Sequence, residues 1–153
     1  MQVLILLSDS VEQSMAKNGL QILRDLGVSF QLRTVSALKS AEHGRQVIEA
    51  HQDNEGQVII CVDNSRSYLP ALAASTSSLP VLSVSPQFEQ LTAGVPIANL
   101  GDGEQGFVNA CFFAAQYLSQ SNDGLKKMIM QIRKTNDAKL VEADQLSKVE
   151  FHG

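Results

Sequence analysis

The chain has 153 residues, of which 44% are hydrophobic and 18% charged, the composition of one ordinary globular domain. Its formal charge of −4 leaves no basic stripe to neutralise nucleic-acid phosphates. The apolar run at residues 3–7 is too short for a signal peptide or a membrane span. We therefore expect one cytosolic domain over residues 1–153, with neither a nucleic-acid partner nor membrane contact.

Short apolar runs alternate with longer amphipathic segments, the pattern of α/β units around a parallel sheet. In the first unit, Ser10 is predicted to cap a helix with Gln13 completing a capping box, and Gly27 to end that helix. Ser40 is the predicted cap of the next helix, and Pro70 falls in the first turn of a third. The predicted strands cover residues 3–7, 30–35, 57–62, 80–84 and 97–100. The predicted helices cover residues 11–26, 41–52, 69–75, 107–118 and 123–146.

The last two helices differ in character. The helix at residues 107–118 is rich in small and apolar residues, which suits close packing on more than one side. In the final helix Leu125, Met128, Ile129 and Ile132 share one face, and the sequence beyond them is strongly polar. We expect this final helix to reach away from the core and to pack on another subunit.

In an open α/β sheet, ligands bind outside the carboxyl ends of the strands. The predicted strands place three loops there, at residues 8–12, 36–41 and 63–68. These loops are the first place to look for function.

Two segments resemble one enzyme family. They are LGVSFQLRTVSALKSA at residues 26–41 and QVIICVDNSRSYLPALAASTSSLPVLSV at residues 57–84. Both are similar to the PurE family, the carboxyaminoimidazole ribonucleotide mutases of purine biosynthesis. The resemblance implies a three-layer, doubly wound, flavodoxin-like fold with a central parallel sheet. It also implies a homo-octamer, a phosphorylated, ribonucleotide-like ligand, and chemistry that needs no metal or organic cofactor.

In the PurE family the first loop reads G-S-x-S-D and helps to bind the phosphoribosyl part of the substrate. An ungapped alignment puts Asp9 at a family serine and Glu12 at the family aspartate. A register shifted by one residue keeps both serines, as Ser8 and Ser10, but places Val11 at the aspartate. Both registers stay open, and the resemblance implies substrate-binding positions at Ser8, Asp9, Ser10 and Glu12. The charges of Asp9 and Glu12 work against a phosphate at this helix start.

The second loop is S-A-H-R-T-P in the family, where the arginine contacts the substrate phosphate and the histidine lies at the active site. The chain has Ser36 at the first position, Leu38 in place of the histidine and Lys39 in place of the arginine. The resemblance therefore implies binding positions at Ser36 and Lys39. Lys39 keeps the positive charge but not the planar fork of arginine. Leu38 cannot transfer a proton.

The third loop is A-G-x-G-G-A-A-H-L-P-G in the family, and its histidine donates and accepts protons. Tyr68 stands at that histidine here, and the glycines that let a backbone approach its ligand are absent. The resemblance places Ser65 and Arg66 among the substrate-binding positions. A segment that helps to enclose the substrate in the family is largely missing after residue 84, and the likeness resumes at residues 94–118.

The remaining candidate groups are less specific. His43 and His51 share a predicted helix without metal-ligand spacing, and His152 is in the tail, so all three are interpreted as surface residues. Cys61 and Cys111 have no paired histidine motif and are interpreted as small core residues. We expect no metal site.

Three hypotheses follow from this pattern. In the first, the chain is a PurE homologue that no longer catalyses the mutase reaction and is retained to bind a ligand or a partner. In the second, it is a divergent active mutase with Lys39 on the phosphate and Tyr68 replacing the catalytic histidine. In the third, it is an assembly protein whose last two helices build a homo-oligomer. The loss of both motif histidines favours the first, and the third is a form of it.

Overall fold

The computed structural model describes residues 1–63, 68–86 and 93–149. Within these ranges the chain forms a parallel five-stranded sheet in the order β2-β1-β3-β4-β5. The strands are β1 Val3–Ser8, β2 Phe30–Val35, β3 Val58–Val62, β4 Val81–Val84 and β5 Ala98–Asn99. The helices are α1 Lys17–Asp25, α2 Ala41–Asp53, α3 Leu69–Thr76, α4 Gly103–Leu118 and α5 Asp123–Ser147. This is the doubly wound order predicted for the chain.

The central strands are apolar along their whole length because helices cover both of their faces. Every residue of β1 and β3 is buried, as expected for strands inside a two-sided parallel sheet. β1 pairs with β2 on one side and with β3 on the other, with Val3 opposite both Phe30 and Val58. β2 lies at the edge and is only partly buried.

Alternate residues of β1 point into two separate cores. Ile5 and its neighbours on one face pack with buried residues of α1, α4 and α5. Leu4 and Leu6 on the other face pack with α2 and α3. Helix, sheet and helix therefore form three layers, which confirms the predicted architecture.

A glycine of α1 allows this helix to lie directly against α4. Gly19 of α1 faces the ring of the fully buried Phe107 and the sulfur of Cys111. A Cβ added at Gly19 would lie 2.5 Å from two ring atoms of Phe107. The prediction that Cys61 and Cys111 are core residues is confirmed, since both are buried. Burial also raises the pKa of the Cys111 thiol to about 12.

The predicted start of the first helix is wrong. After β1 the chain turns, with the Val11 amide donating to the Ser8 carbonyl, and a short 3-10 helix at Gln13–Ala16 precedes α1. Ser10 therefore caps no helix. Its hydroxyl lies 3.0 Å from that of Ser8, and the two share a hydrogen bond. Gly27, in contrast, adopts the predicted left-handed conformation after α1, with φ of 67°.

Two other helix starts differ in detail. Ser40 occupies the position before α2, as predicted, but its side chain makes no capping hydrogen bond. α4 begins at Gly103, four residues before the predicted residue 107. The prediction placed the start at the first apolar residue, whereas the helix begins with a polar turn that includes Glu104.

α5 leaves the core after its first third. Asn122 caps it by accepting from the Leu125 amide at 3.0 Å. Leu125 and Ile129 are buried as predicted, but Met128 is 42% exposed, so it does not share their environment. Beyond Ile132 nearly all of the helix is exposed. In the described ranges, no helix is both long and apolar enough to cross a membrane.

The interpretation of His51 as a surface residue is wrong. It is 6% exposed, in the last turn of α2, and its Nε2 lies 3.3 Å from the Val58 carbonyl oxygen. Gly56 makes room for it, because a Cβ there would overlap the imidazole ring. Burial lowers the pKa of His51, and the hydrogen bond to Val58 offsets part of that effect. His51 therefore connects the end of α2 to the start of β3 as a neutral side chain.

Candidate functional site

The parallel order brings the ends of β1 and β2 side by side, with β3 on the other flank of β1. Ser8 lies opposite Val35, and Leu7 lies opposite Val62. The loops at residues 8–12 and 36–41, with Asp63 and Tyr68 of the third loop, therefore meet at the carboxyl ends of these strands. We call this region the loop cluster.

The two serines of the first loop differ in burial, although their hydroxyls share a hydrogen bond. Ser8 is 1% exposed, and its hydroxyl is committed to that of Ser10. Glu12 is exposed and accepts a hydrogen bond from the Ser14 hydroxyl at 3.3 Å. The serine that is accessible to a ligand here is Ser10, which is exposed.

An ion pair joins the first two loops. The Lys39 ammonium donates to the Asp9 carboxylate, and the Lys39 amide donates to the Ser36 hydroxyl at 3.2 Å. The hydrogen bond from Lys39 is the main reason that the pKa of Asp9 lies below its usual value. The sequence identified both side chains separately, but not their contact. The contact could have been predicted from the opposite charges of Asp9 and Lys39, because their loops follow the ends of two adjacent strands.

Neither position of the motif histidines holds an imidazole. Leu38 is 69% exposed, although it is a large apolar residue. Tyr68 is 56% exposed and adopts a left-handed conformation with φ of 57°, directly before α3. Non-glycine residues adopt that conformation rarely, and it occurs often at functional or strained turns.

A shallow, open cavity of about 410 Å³ with a mostly apolar lining lies beside Tyr68. It lies between the second loop and α3. Its lining residues are Ala37, Tyr68, Ala71, Leu72, Ser75 and Val95. The Tyr68 and Ser75 hydroxyls are its polar side-chain groups, so the cavity suits an uncharged part of a ligand.

Several predicted positions fall elsewhere. Ser65 and Arg66 lie outside the described residues, as does His152. His43 and His51 line a separate cavity of about 460 Å³ beside β2, together with Arg33. No group of three His, Cys, Asp or Glu side chains in the described part of the chain is placed to hold a metal ion.

Comparison with known proteins identifies the family. The model of the AIR carboxylase family matches residues 2–139. The N5-carboxyaminoimidazole ribonucleotide mutase of Bacillus subtilis is 28% identical over 155 residues, with 93% of this chain and 96% of the relative covered. That of Methanocaldococcus jannaschii is 23% identical, with 97% and 99% covered. The crystal structure of Treponema denticola PurE has the same fold, with a TM-score of 0.85 at 18% identity over 97% of this chain and 99% of the other. The chain therefore belongs to the AIR carboxylase family, the PurE family, as a divergent member.

Proposed function

We propose that this PurE-family protein has lost most or all of the mutase reaction and is retained to bind a ligand or to build an assembly. The observation that carries the proposal is the replacement of both motif histidines by exposed side chains, Leu38 and Tyr68. Proton transfer works best with a group whose pKa lies near the working pH. An imidazole in water titrates near 6.5, and a phenol near 10.

The relatives are named for a ribonucleotide substrate, and the family relation suggests a phosphorylated ribonucleotide as the ancestral ligand. In the loop cluster, Lys39 is the residue that would meet its phosphate. Lys39 already contacts Asp9, however. Lys39 keeps the positive charge of the family's arginine, but it is not free to bind a phosphate. This supports loss of the mutase reaction over a divergent active mutase.

The projecting part of α5 supports an assembly role. Leu140, Val141 and Leu146 are 70%, 51% and 82% exposed. A helix without tertiary packing is marginal in water, so this segment gains stability when a second copy covers it. We propose that the protein forms a homo-oligomer. The expected size is an octamer, which the resemblance to the PurE family implies. Light scattering gives its mass, and a monomer at micromolar concentration would contradict the assembly role.

The experiment on chemistry follows interconversion of the carboxylated aminoimidazole ribonucleotides by the wild type and by a Leu38→His/Tyr68→His variant. We expect wild-type turnover equal to that of buffer. We also expect no recovery in the double variant, because the glycine loop and the enclosing segment are missing as well. Clear wild-type turnover would establish the divergent mutase instead. Full recovery in the variant would show that only two side chains had been lost.

A further inference from the structure

The contact between Asp9 and Lys39 places a negative charge where an anionic ligand would have to bind. In the first two loops, at residues 8–12 and 36–41, Lys39 carries the only positive charge. Its ammonium group contacts the Asp9 carboxylate, so the protein itself supplies an anion for this cation. We propose that Asp9 is a specificity-determining residue that weakens phosphate binding at Lys39, so that the first two loops favour a ligand without a phosphate group. This inference rests on the proposed loss of the mutase reaction and extends it to ligand class.

A second carboxylate of the first loop acts in the same direction. Glu12 is exposed, three residues after Asp9. A phosphate bound to Lys39 would share its ammonium group with Asp9 or displace Asp9 from it, and in either case would lie beside the Asp9 carboxylate. Two unit charges of like sign at about 4 Å in water repel by roughly 1 kcal/mol, which corresponds to about a fivefold loss of affinity.

The pair is also held by its surroundings. The Lys39 amide bonds to the Ser36 hydroxyl, and the Ser40 amide bonds to the Ser36 carbonyl at 3.0 Å. These bonds fold the second loop into a turn at the end of β2. Lys39 is thus held next to the loop that carries Asp9.

The neighbouring cavity fits the ligand class that remains. Its lining is mostly apolar, and Ala37, two residues before Lys39, forms part of its wall. A ligand there meets a mostly apolar surface beside Tyr68. An uncharged ring or a similarly compact apolar group satisfies such a site without a countercharge.

The test is a titration with inorganic phosphate at pH 7.5, read from the amide NMR signals of residues 36–41. The proteins are the wild type, Asp9→Asn, Glu12→Gln and Asp9→Asn/Lys39→Gln. We expect phosphate to bind Asp9→Asn about fivefold more tightly than the wild type. Glu12→Gln removes the same charge from the same loop without freeing Lys39, so we expect a smaller gain. In the Asp9→Asn/Lys39→Gln variant the gain in phosphate affinity should disappear, because the positive charge of Lys39 is then absent.

Each outcome decides the matter. Equal phosphate binding by the wild type and Asp9→Asn, or binding by neither up to the solubility limit, would show that Asp9 is not what keeps phosphate out. An equal gain in Glu12→Gln would reduce the effect to net charge and would also overturn the proposal. The titration reads binding alone, whereas the mutase assay reads turnover. An inactive wild type that binds phosphate as tightly as Asp9→Asn would therefore overturn this inference and leave the proposed function intact.

Discussion

The sheet core and the loop cluster differ in how tightly their residues are constrained. In the core, β1 and β3 are buried along their whole length, and Gly19 lies against Phe107 with no room for a methyl group. At the loop cluster, Leu38, Lys39 and Tyr68 are all exposed by more than half. Substitution in the core changes the packing of several elements, while substitution at the cluster changes what the surface can bind. A family fold can thus persist while the side chains of its loops change.

The largest expected difference is between two aromatic side chains. Phe107→Ala removes a fully buried ring from the contact between α1 and α4, and we expect it to lower the free energy of unfolding by about 3–5 kcal/mol. Tyr68→Ala truncates an exposed ring and should lower the free energy of unfolding by less than about 1 kcal/mol. Urea unfolding of both variants gives the comparison. Similar costs would mean that the loop cluster is as well packed as the core.

Two glycine substitutions test the same contrast within helices. In Gly19→Ala the new methyl group meets the Phe107 ring and Cys111 Sγ, at 2.5 and 2.9 Å, and we expect a cost of about 1–3 kcal/mol from overpacking. Gly44→Ala is the matched control. Its methyl group meets only a terminal methyl of Leu72, at 2.9 Å, which can move, and alanine also favours the helix. A larger cost for Gly44→Ala would contradict this view of the α1–α4 contact.

A smaller effect is expected from pH. Because burial lowers the pKa of His51 in the folded protein, the unfolded chain takes up a proton more readily as the pH falls. The stability that His51 contributes is therefore present above its unfolded pKa of about 6.5 and is lost as the pH falls below it.

The check compares thermal unfolding of the wild type and His51→Gln at pH 7.5 and 5.0. We expect the wild type to lose more stability over this interval than the variant, which has no imidazole to protonate. A parallel loss in both proteins would mean that His51 does not titrate differently on unfolding.

The smallest effect concerns the ion pair. Lys39→Ala breaks a contact between two exposed side chains, and such pairs contribute little to stability because water screens them. We expect no resolvable change in Tm, even though the same residue controls phosphate binding in the account above. A clear drop in Tm would mean that the pair fastens the first two loops together.

The fold was predictable because its signals are local and repeated. Apolar runs such as residues 58–62, between amphipathic helices, specify buried parallel strands, and the PurE motifs specify their order. The turn after Ser8 was not predictable, since Ser10 and Gln13 match a capping box that the chain does not form. The burial of His51 depends on its contacts with Val58 and Gly56 in three dimensions. The hydrophobic periodicity of the helix does not predict these contacts. The contact between Asp9 and Lys39 depends in the same way on loop geometry.

Loss of the mutase reaction is checked by the turnover of the purified wild type beside the Bacillus subtilis relative, at matched concentration and with the same carboxylated aminoimidazole ribonucleotide. We expect robust turnover by the relative and a rate equal to buffer for this chain, whose Leu38 and Tyr68 stand at the positions of the motif histidines. Turnover within about a hundredfold of the relative, the low end of what a positioned acid–base group contributes, would contradict it.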